Sequence, residues 1–222
     1  MIYAHSDISG NFDTTIDAIN TIVIENRTFF FSFIEDIYNR VSGFSGKSIL
    51  GTGEGKLLDF SKNAEIFTSF VPFEINKKSL LSKIISAIEK ESVSAEHYED
   101  TMKVLTGIER YLDGLNASFD CNLSYSKITP GALIKAAGIE IVDDYNSLAE
   151  KIIDYMELVR EFDKDKLFFT VNLRSYIDDE TMGNFMATIK AHDFHLIMIE
   201  SQAHNMLSCE SRHIIDEDLC EF

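Results

Sequence analysis

The residues most able to do chemistry stand in the string Gly43-Phe-Ser-Gly46-Lys47-Ser48. A Gly-Lys-Ser sequence closes the phosphate-binding loop of many nucleotide-binding proteins, where backbone N–H groups at a helix N-terminus converge on phosphate. That loop needs a glycine five residues before Gly46, but Val41 occupies the position. It also needs a strand before it and a helix after it, whereas here a helical pattern precedes it and a hairpin pattern follows. The sequence therefore predicts a turn at this string and no bound nucleotide.

Other polar groups have suitable types but not the spacing of known sites. Asn172 ends an apolar strand where a nucleotidase usually carries a metal-binding aspartate, and an amide does not supply that charge to Mg²⁺. His192 and His195 lack a third ligand at a recognisable spacing, so they do not predict zinc. The acidic runs at 143–144, 178–180 and 216–218 are typical of turns and helix caps.

Charge is distributed unevenly along the chain. The 222 residues hold 20 Lys plus Arg against 37 Asp plus Glu, a net charge of −17. Residues 41–90 depart from this balance, with seven lysines against five acidic residues. An acidic protein can bind a polyanion when folding or assembly gathers such lysines on one face. The alternative interpretation is a solvated surface of mixed charge.

The composition indicates a folded cytoplasmic protein. Apolar residues make up 45% of the chain, which excludes disorder and collagen, and a chain this long buries roughly 70% of its surface. No uncharged apolar run approaches the roughly 18 residues that a membrane span needs. The first residues, MIYAHSD, do not resemble a signal peptide, and Cys121, Cys209 and Cys220 are expected to be ordinary reduced thiols.

The two ends of the chain carry α/β patterns. A β-branched run at 20–25 precedes a helical pattern at 29–38, a hairpin is expected around glycines 51–55, and a strand at 64–70. Near the C-terminus, apolar runs at 166–171 and 195–199 flank a helix capped by Asp178 or Asp179. Strand, helix, strand with apolar strands is typical of a parallel sheet covered on both faces.

The middle of the chain has the period of amphipathic helices. Apolar residues recur at helical spacing over 80–88 and over 98–115, the latter after a Ser94 cap, and a third stripe covers 147–162. We therefore predict an α/β head domain from residues 1–76 and 164–222, with a helical leg domain, residues 77–163, inserted between them.

Several segments resemble one family in order and spacing. They are residues 126–141 (SKITPGALIKAAGIEI), 147–162, 166–172 (KLFFTVN), 176–182 (YIDDETM) and 214–219 (IIDEDL). This series resembles the spacer-acquisition protein peculiar to type II-A CRISPR systems. The resemblance implies a degenerate P-loop-NTPase-like head with a mostly parallel sheet, and an inserted helical leg.

The resemblance also implies a function in antiviral defense. Family members form ring-shaped homotetramers that enclose double-stranded DNA in a basic channel, take it in through free ends, and are stabilised by calcium. They have no established enzymatic role and work beside the CRISPR integrase and effector nuclease. We expect the channel of this chain to be lined by Lys47, Lys56, Lys62, Lys77, Lys78 and Arg174.

One segment departs from the family. Relatives carry a dense acidic run before the Ile-Thr pair, but here Ser124, Ser126 and Lys127 supply no carboxylates. Asp120 and Asn122 are the remaining candidate calcium ligands. Two other functions stay open at this point, a nucleotide-binding enzyme with a modified phosphate loop at Gly46-Lys47-Ser48, and an acidic scaffold that recruits proteins without touching DNA.

Overall fold

A computed structural model describes residues 1–16, 18–121 and 123–222. Its strands are β1 (Ile2–His5), β2 (Phe12–Asp13), β3 (Ile19–Ile24), β4 (Ser48–Gly51), β5 (Ala64–Phe67), β6 (Leu167–Val171), β7 (His195–Glu200) and β8 (Glu210–Ile215). Its α-helices are α1 (Arg27–Val41), α2 (Phe60–Asn63), α3 (Lys78–Ser92), α4 (Tyr98–Asn116), α5 (Pro130–Ala136), α6 (Leu148–Phe162) and α7 (Asp179–Ala191). A short 3-10 helix covers Leu173–Ser175.

The chain divides into two compact units. The first, here called the sheet unit, consists of Met1–Glu74 and Tyr145–Phe222. The second, the helical unit, is Ile75–Asp144. The sequence placed the second boundary at 163/164, so the two divisions differ in where they assign α6.

The centre of the sheet unit is a five-stranded sheet in the order β5-β6-β7-β3-β8, with every neighbouring pair parallel. Its central strands β6, β7 and β3 are buried on both faces, because Phe169 and Ile197 join one hydrophobic cluster with Ile22, whereas Phe168 packs against Phe67. The mixed α/β class and the parallel sheet are therefore confirmed.

Helix α6 belongs to the sheet unit, and its buried face shows why. The hydroxyl of Tyr155 donates a 2.6 Å hydrogen bond to Glu65, on β5, and its ring packs edge-on against Phe67 and Phe73 at 5.6 Å. Ser147 caps the helix by accepting from Glu150 N, as its sequence position suggests. The predicted amphipathic stripe is present, and it packs within the sheet unit.

A small antiparallel sheet in the order β2-β1-β4 completes this unit. The predicted hairpin is present, since β4 runs into a turn in which Thr52 N donates to Lys56 O at 2.9 Å and Gly51 bridges Leu57. Gly55 has φ +80° in this turn, a conformation that favours glycine. Strand β4 pairs along its whole length with β1, and the sequence did not predict β1 as a strand.

The helical unit contains α3, α4 and α5, with α3 packed against α5. Helices α3 and α4 match the predicted helical stripes, but His97 and not Ser94 precedes α4. Thr129 caps α5 by accepting from Ala132 N. Within the described residues, no helix combines the length and the apolar character that crossing a membrane requires.

Candidate nucleic-acid interface

The turn between α1 and β4 is held by a carboxylate of the chain itself. Asp36, on α1, accepts backbone hydrogen bonds from Lys47 (2.7 Å) and Ser48 (2.9 Å). A Cβ at Gly46 would clash with Asp36 Oδ1 and stand 2.9 Å from Arg40 Cδ, so a larger residue there would displace these two side chains. Backbone N–H groups of this kind bind phosphate in a phosphate loop. Here Asp36 occupies them, and the prediction of a turn is confirmed.

Three predicted DNA-binding lysines lie exposed on the sheet unit. Lys47 directly precedes β4, and its Nζ lies 2.5 Å from Asp7 Oδ2, which raises the pKa of the lysine. Lys62 lies 3.5 Å from Asp59. Lys56, in the hairpin turn, has no acidic partner in the described part of the chain. Lys56 is therefore the least neutralised of the three.

The other two predicted lysines belong to the helical unit. Lys77 is the cap residue of α3 and is half-buried, while Lys78 is the first residue of the helix and is exposed. The first turn of α3 contains no acidic residue. The structure thus places these lysines in two groups, one on each unit.

The structure contradicts the prediction that Arg174 contacts DNA. Its side chain is 1% exposed, with Nη1 3.3 Å from Glu210 Oε2 and Nη2 2.7 Å from Asp179 Oδ1. A guanidinium buried between two carboxylates is not available to a phosphate group. The position after a strand end suggested an exposed cation, but the partners that bury it stand on α7 and β8.

Asn172 directly follows β6, at the carboxyl end of the parallel sheet. It adopts a left-handed conformation with φ 55°, which asparagine tolerates better than most residues. Its side-chain oxygen accepts a 2.8 Å hydrogen bond from Ser201 N. The amide therefore connects the ends of two adjacent parallel strands.

Glu200 is a buried carboxyl group that no sequence pattern singled out. It ends β7, is 1% exposed, and accepts a 3.2 Å hydrogen bond from Arg174 N through Oε1. Its Oε2 lies 3.7 Å from His204 Nε2, and neither atom has a hydrogen-bond partner among the described residues. Burial raises the pKa of Glu200 to about 7 and lowers that of His204.

The edge where open parallel sheets bind ligands carries acidic groups here. Strand β3 connects to α1 through Glu25-Asn26, and a cavity of about 460 Å³ lies beside this connection. Glu25 and Glu217 both line it, together with Arg27. In open α/β sheets, ligands bind beyond the carboxyl ends of the strands. Two carboxylates at this position oppose the approach of a phosphate group.

The histidine pair does not form a joint site. His192 Nδ1 lies 2.6 Å from Glu157 Oε1, on α6. His195 Nδ1 lies 2.9 Å from the hydroxyl of Thr14. Each imidazole thus contacts a different element.

The predicted calcium ligands lie in a segment that the structure describes only in part. Asp120 is exposed, and Asn122 lies outside the described residues. Calcium takes six to eight oxygen ligands. In the described ranges, the group of potential metal ligands within 4.8 Å of one another is Glu91, Glu96 and His97, and it does not include Asp120. Calcium binding by Asp120 and Asn122 therefore stays a prediction.

Comparison with known proteins agrees with the resemblance. The family model described as CRISPR-associated protein (Cas_Csn2) matches residues 41–219. The CRISPR-associated protein Csn2 of Enterococcus faecalis is 22% identical over 175 residues, which cover 76% of this chain and 78% of the relative. The match spans the β4 hairpin, the whole helical unit and the strands β5 to β8. The chain belongs to the Csn2 family of CRISPR-associated proteins.

Proposed function

We propose that this protein acts in CRISPR adaptation as a ring-shaped homotetramer that binds double-stranded DNA through free ends, without regard to sequence. The single observation that carries the proposal is the family match, which covers the lysine-rich segment and the helical unit together. The proposed role is not enzymatic. The ring would hold DNA in the cytoplasm while the CRISPR integrase and effector nuclease act on it.

The exposed lysines support DNA binding. Lys56 and Lys78 are exposed and have no acidic partner among the described residues. Lysines that neutralise DNA phosphates release condensed counterions, which gives sequence-independent and strongly salt-dependent affinity. Because the rest of the chain is acidic, DNA is repelled from most of the surface and is bound where assembly concentrates these lysines.

Exposed apolar residues support self-association. A tetramer with two-fold axes needs two different self-complementary contacts on each copy. The sheet unit exposes Phe44, Ile49 and Leu57 around β4, at 65%, 47% and 72%. Arg40 stabilises the backbone before β4, because its guanidinium donates to the carbonyls of Phe44 and Ser48.

The second apolar surface lies on the helical unit. Tyr111 and Leu115 on α4 are 66% and 45% exposed, and Phe119 follows at 60%. Residues four apart share one face of a helix. Large apolar patches on a soluble protein mark contact surfaces. These two patches supply candidates for the two self-complementary contacts of a tetramer with two-fold axes.

The test compares linear duplex DNA with a covalently closed circle of the same sequence. A threaded ring is expected to bind the linear duplex at least tenfold more tightly, and its affinity to fall steeply with salt. Equal binding to both forms, or a salt dependence near zero, would overturn threading. A scaffold that recruits proteins through its acidic surface would bind neither form.

The solution mass tests the assembly. We expect a mass of four chains, and its measurement with and without calcium tests whether that ion stabilises the ring. A monomer under both conditions would leave no closed channel for DNA to pass through.

A further inference from the structure

An apolar groove of about 410 Å³ opens on the helical unit, between α3, α4 and α5. Ile88, Val104, Leu133 and Ile134 line it. Ile88 is 36% exposed and Val104 51%, so apolar side chains of two helices face the opening. Covering such side chains contributes about 25 cal/mol for each Å² removed from water. A groove of this volume falls in the range of pockets that hold ligand or side-chain anchors.

The rim of the groove is acidic. Residues 89–103 hold five acidic side chains against Lys90 and Lys103, and Lys103 Nζ lies 2.8 Å from Asp100 Oδ1. Glu91 and Asp100 line the groove directly. Glu91, Glu96 and His97 bring ligand atoms within 4.8 Å of one another at the same rim. The groove thus combines an apolar floor with a concentrated negative charge.

This charge decides between the possible occupants. Duplex DNA is repelled by an acidic rim. A second copy is also disfavoured, because a two-fold contact would place the same acidic rim against itself. Val104 precedes Tyr111 by two helical turns on α4, so the groove lies beside the proposed self-association surface without requiring that a copy fill it.

We propose that this groove binds an amphipathic helix of another protein, with apolar side chains in the floor and Lys or Arg residues against the acidic rim. Helices commonly bind in grooves between other helices through apolar residues spaced i, i+3 or i+4 and i+7. The flanking basic residues give the contact its specificity and its rate of association.

The first test uses a fluorescent 16-residue peptide that has leucines at this spacing and lysines on both flanks. A second peptide has glutamates in place of the lysines. We expect the full-length protein to bind the lysine peptide at least tenfold more tightly than the glutamate peptide. Glu91→Gln with Asp100→Asn is expected to remove most of that preference.

A matched pair of variants tests the floor. Val104→Asn is expected to weaken lysine-peptide binding at least tenfold. Val93→Asn changes a valine with the same 51% exposure that does not line the groove, and it is expected to leave binding unchanged. Circular dichroism checks that both variants keep their helix content, and neither should change affinity for duplex DNA.

The proposal is overturned if the lysine peptide fails to bind, if it binds both valine variants equally, or if the glutamate peptide binds as tightly as the lysine peptide. If Val104→Asn instead lowers the solution mass, a second copy covers the groove, which also contradicts the proposal. Because DNA affinity is measured separately, failure here leaves the proposed DNA-binding function intact.

Discussion

Glu200 Oε2 lies 3.7 Å from His204 Nε2 in a site where the glutamate is 1% exposed. Burial raises the pKa of this carboxyl group to about 7, so the folded state keeps the proton to a higher pH than the unfolded chain does. When the folded state holds a proton more tightly than the unfolded chain does, the free energy of unfolding falls as pH rises. The loss begins above the ordinary glutamate pKa and is complete above about pH 7.

Glu200→Gln removes this titration while keeping a neutral side chain of the same shape. We expect the variant to gain stability relative to wild type as pH rises from 5 to 8, on the order of 2 kcal/mol in total. Urea denaturation at several pH values measures the difference. A difference that stays constant with pH would contradict the raised pKa.

Replacing the two exposed lysines tests the DNA contact. Lys56→Ala and Lys78→Ala are each expected to weaken duplex binding severalfold and to reduce the slope of log affinity against log salt by at least about 1. Lys164→Ala is the matched control, because this lysine is exposed in the acidic C-terminal part of the chain. If the control weakens binding as much as the two test variants, the lysines of 41–90 have no special role.

Arg174 should contribute to stability and not to DNA binding. Its removal leaves Glu210, whose side chain is 0% exposed, with Arg212 as its remaining cation. Breaking a buried ion pair costs roughly 3–5 kcal/mol, and because Arg212 remains we expect about 3 kcal/mol for Arg174→Ala. Denaturant unfolding measures the cost. Unchanged stability together with lost DNA affinity would restore Arg174 to the DNA-binding surface.

Asp36 should be required for the turn before β4. Asp36→Ala leaves the N–H groups of Lys47 and Ser48 without their acceptor, which is expected to cost about 1–3 kcal/mol. Denaturant unfolding measures this cost.

The same turn is not expected to bind a nucleotide. We expect neither the wild type nor Lys47→Ala to bind ATP in calorimetry. Measurable ATP binding that Lys47→Ala abolishes would favour the nucleotide-binding alternative.

The exposed apolar surface of α4 is expected to hold copies together. Tyr111→Glu places a charge in this surface and should lower the mass measured by light scattering by at least half. Val142→Glu, at a position of the same unit that is 78% exposed, is the control and should leave the mass unchanged. A full mass in the Tyr111 variant would show that this surface is not an interface.

The parts of the fold predicted from sequence are those whose signal is local. β6 and β7 are apolar on both faces, and α7 begins at the predicted Asp178 cap. β8 was missed because its residues ESRHII are mostly polar, and their burial depends on ion pairs such as Arg212 with Glu210. A polar strand is hard to recognise in a sequence when the partners of its charged side chains lie far away along the chain.

The candidate site was less predictable for the same reason. The exposure of Lys56 and Lys78 follows from their turn and helix-start positions. The burial of Arg174 depends on Glu210, 36 residues away, and a local pattern does not contain that contact. The apolar stripe on α6 likewise predicts a packed helix. The surface against which it packs is determined by its contacts with Glu65, Phe67 and Phe73, which the stripe does not contain.

The pairing of β3 with β7 and β8 has a consequence for biosynthesis. β3 emerges from the ribosome roughly 170 residues before its neighbours, because they are encoded near the other end of the chain. At about 5–20 residues per second, that delay is roughly 10–35 s. Throughout this time the run INTIVI has no sheet to join, so the nascent polypeptide presents an apolar segment to chaperones until translation is almost finished.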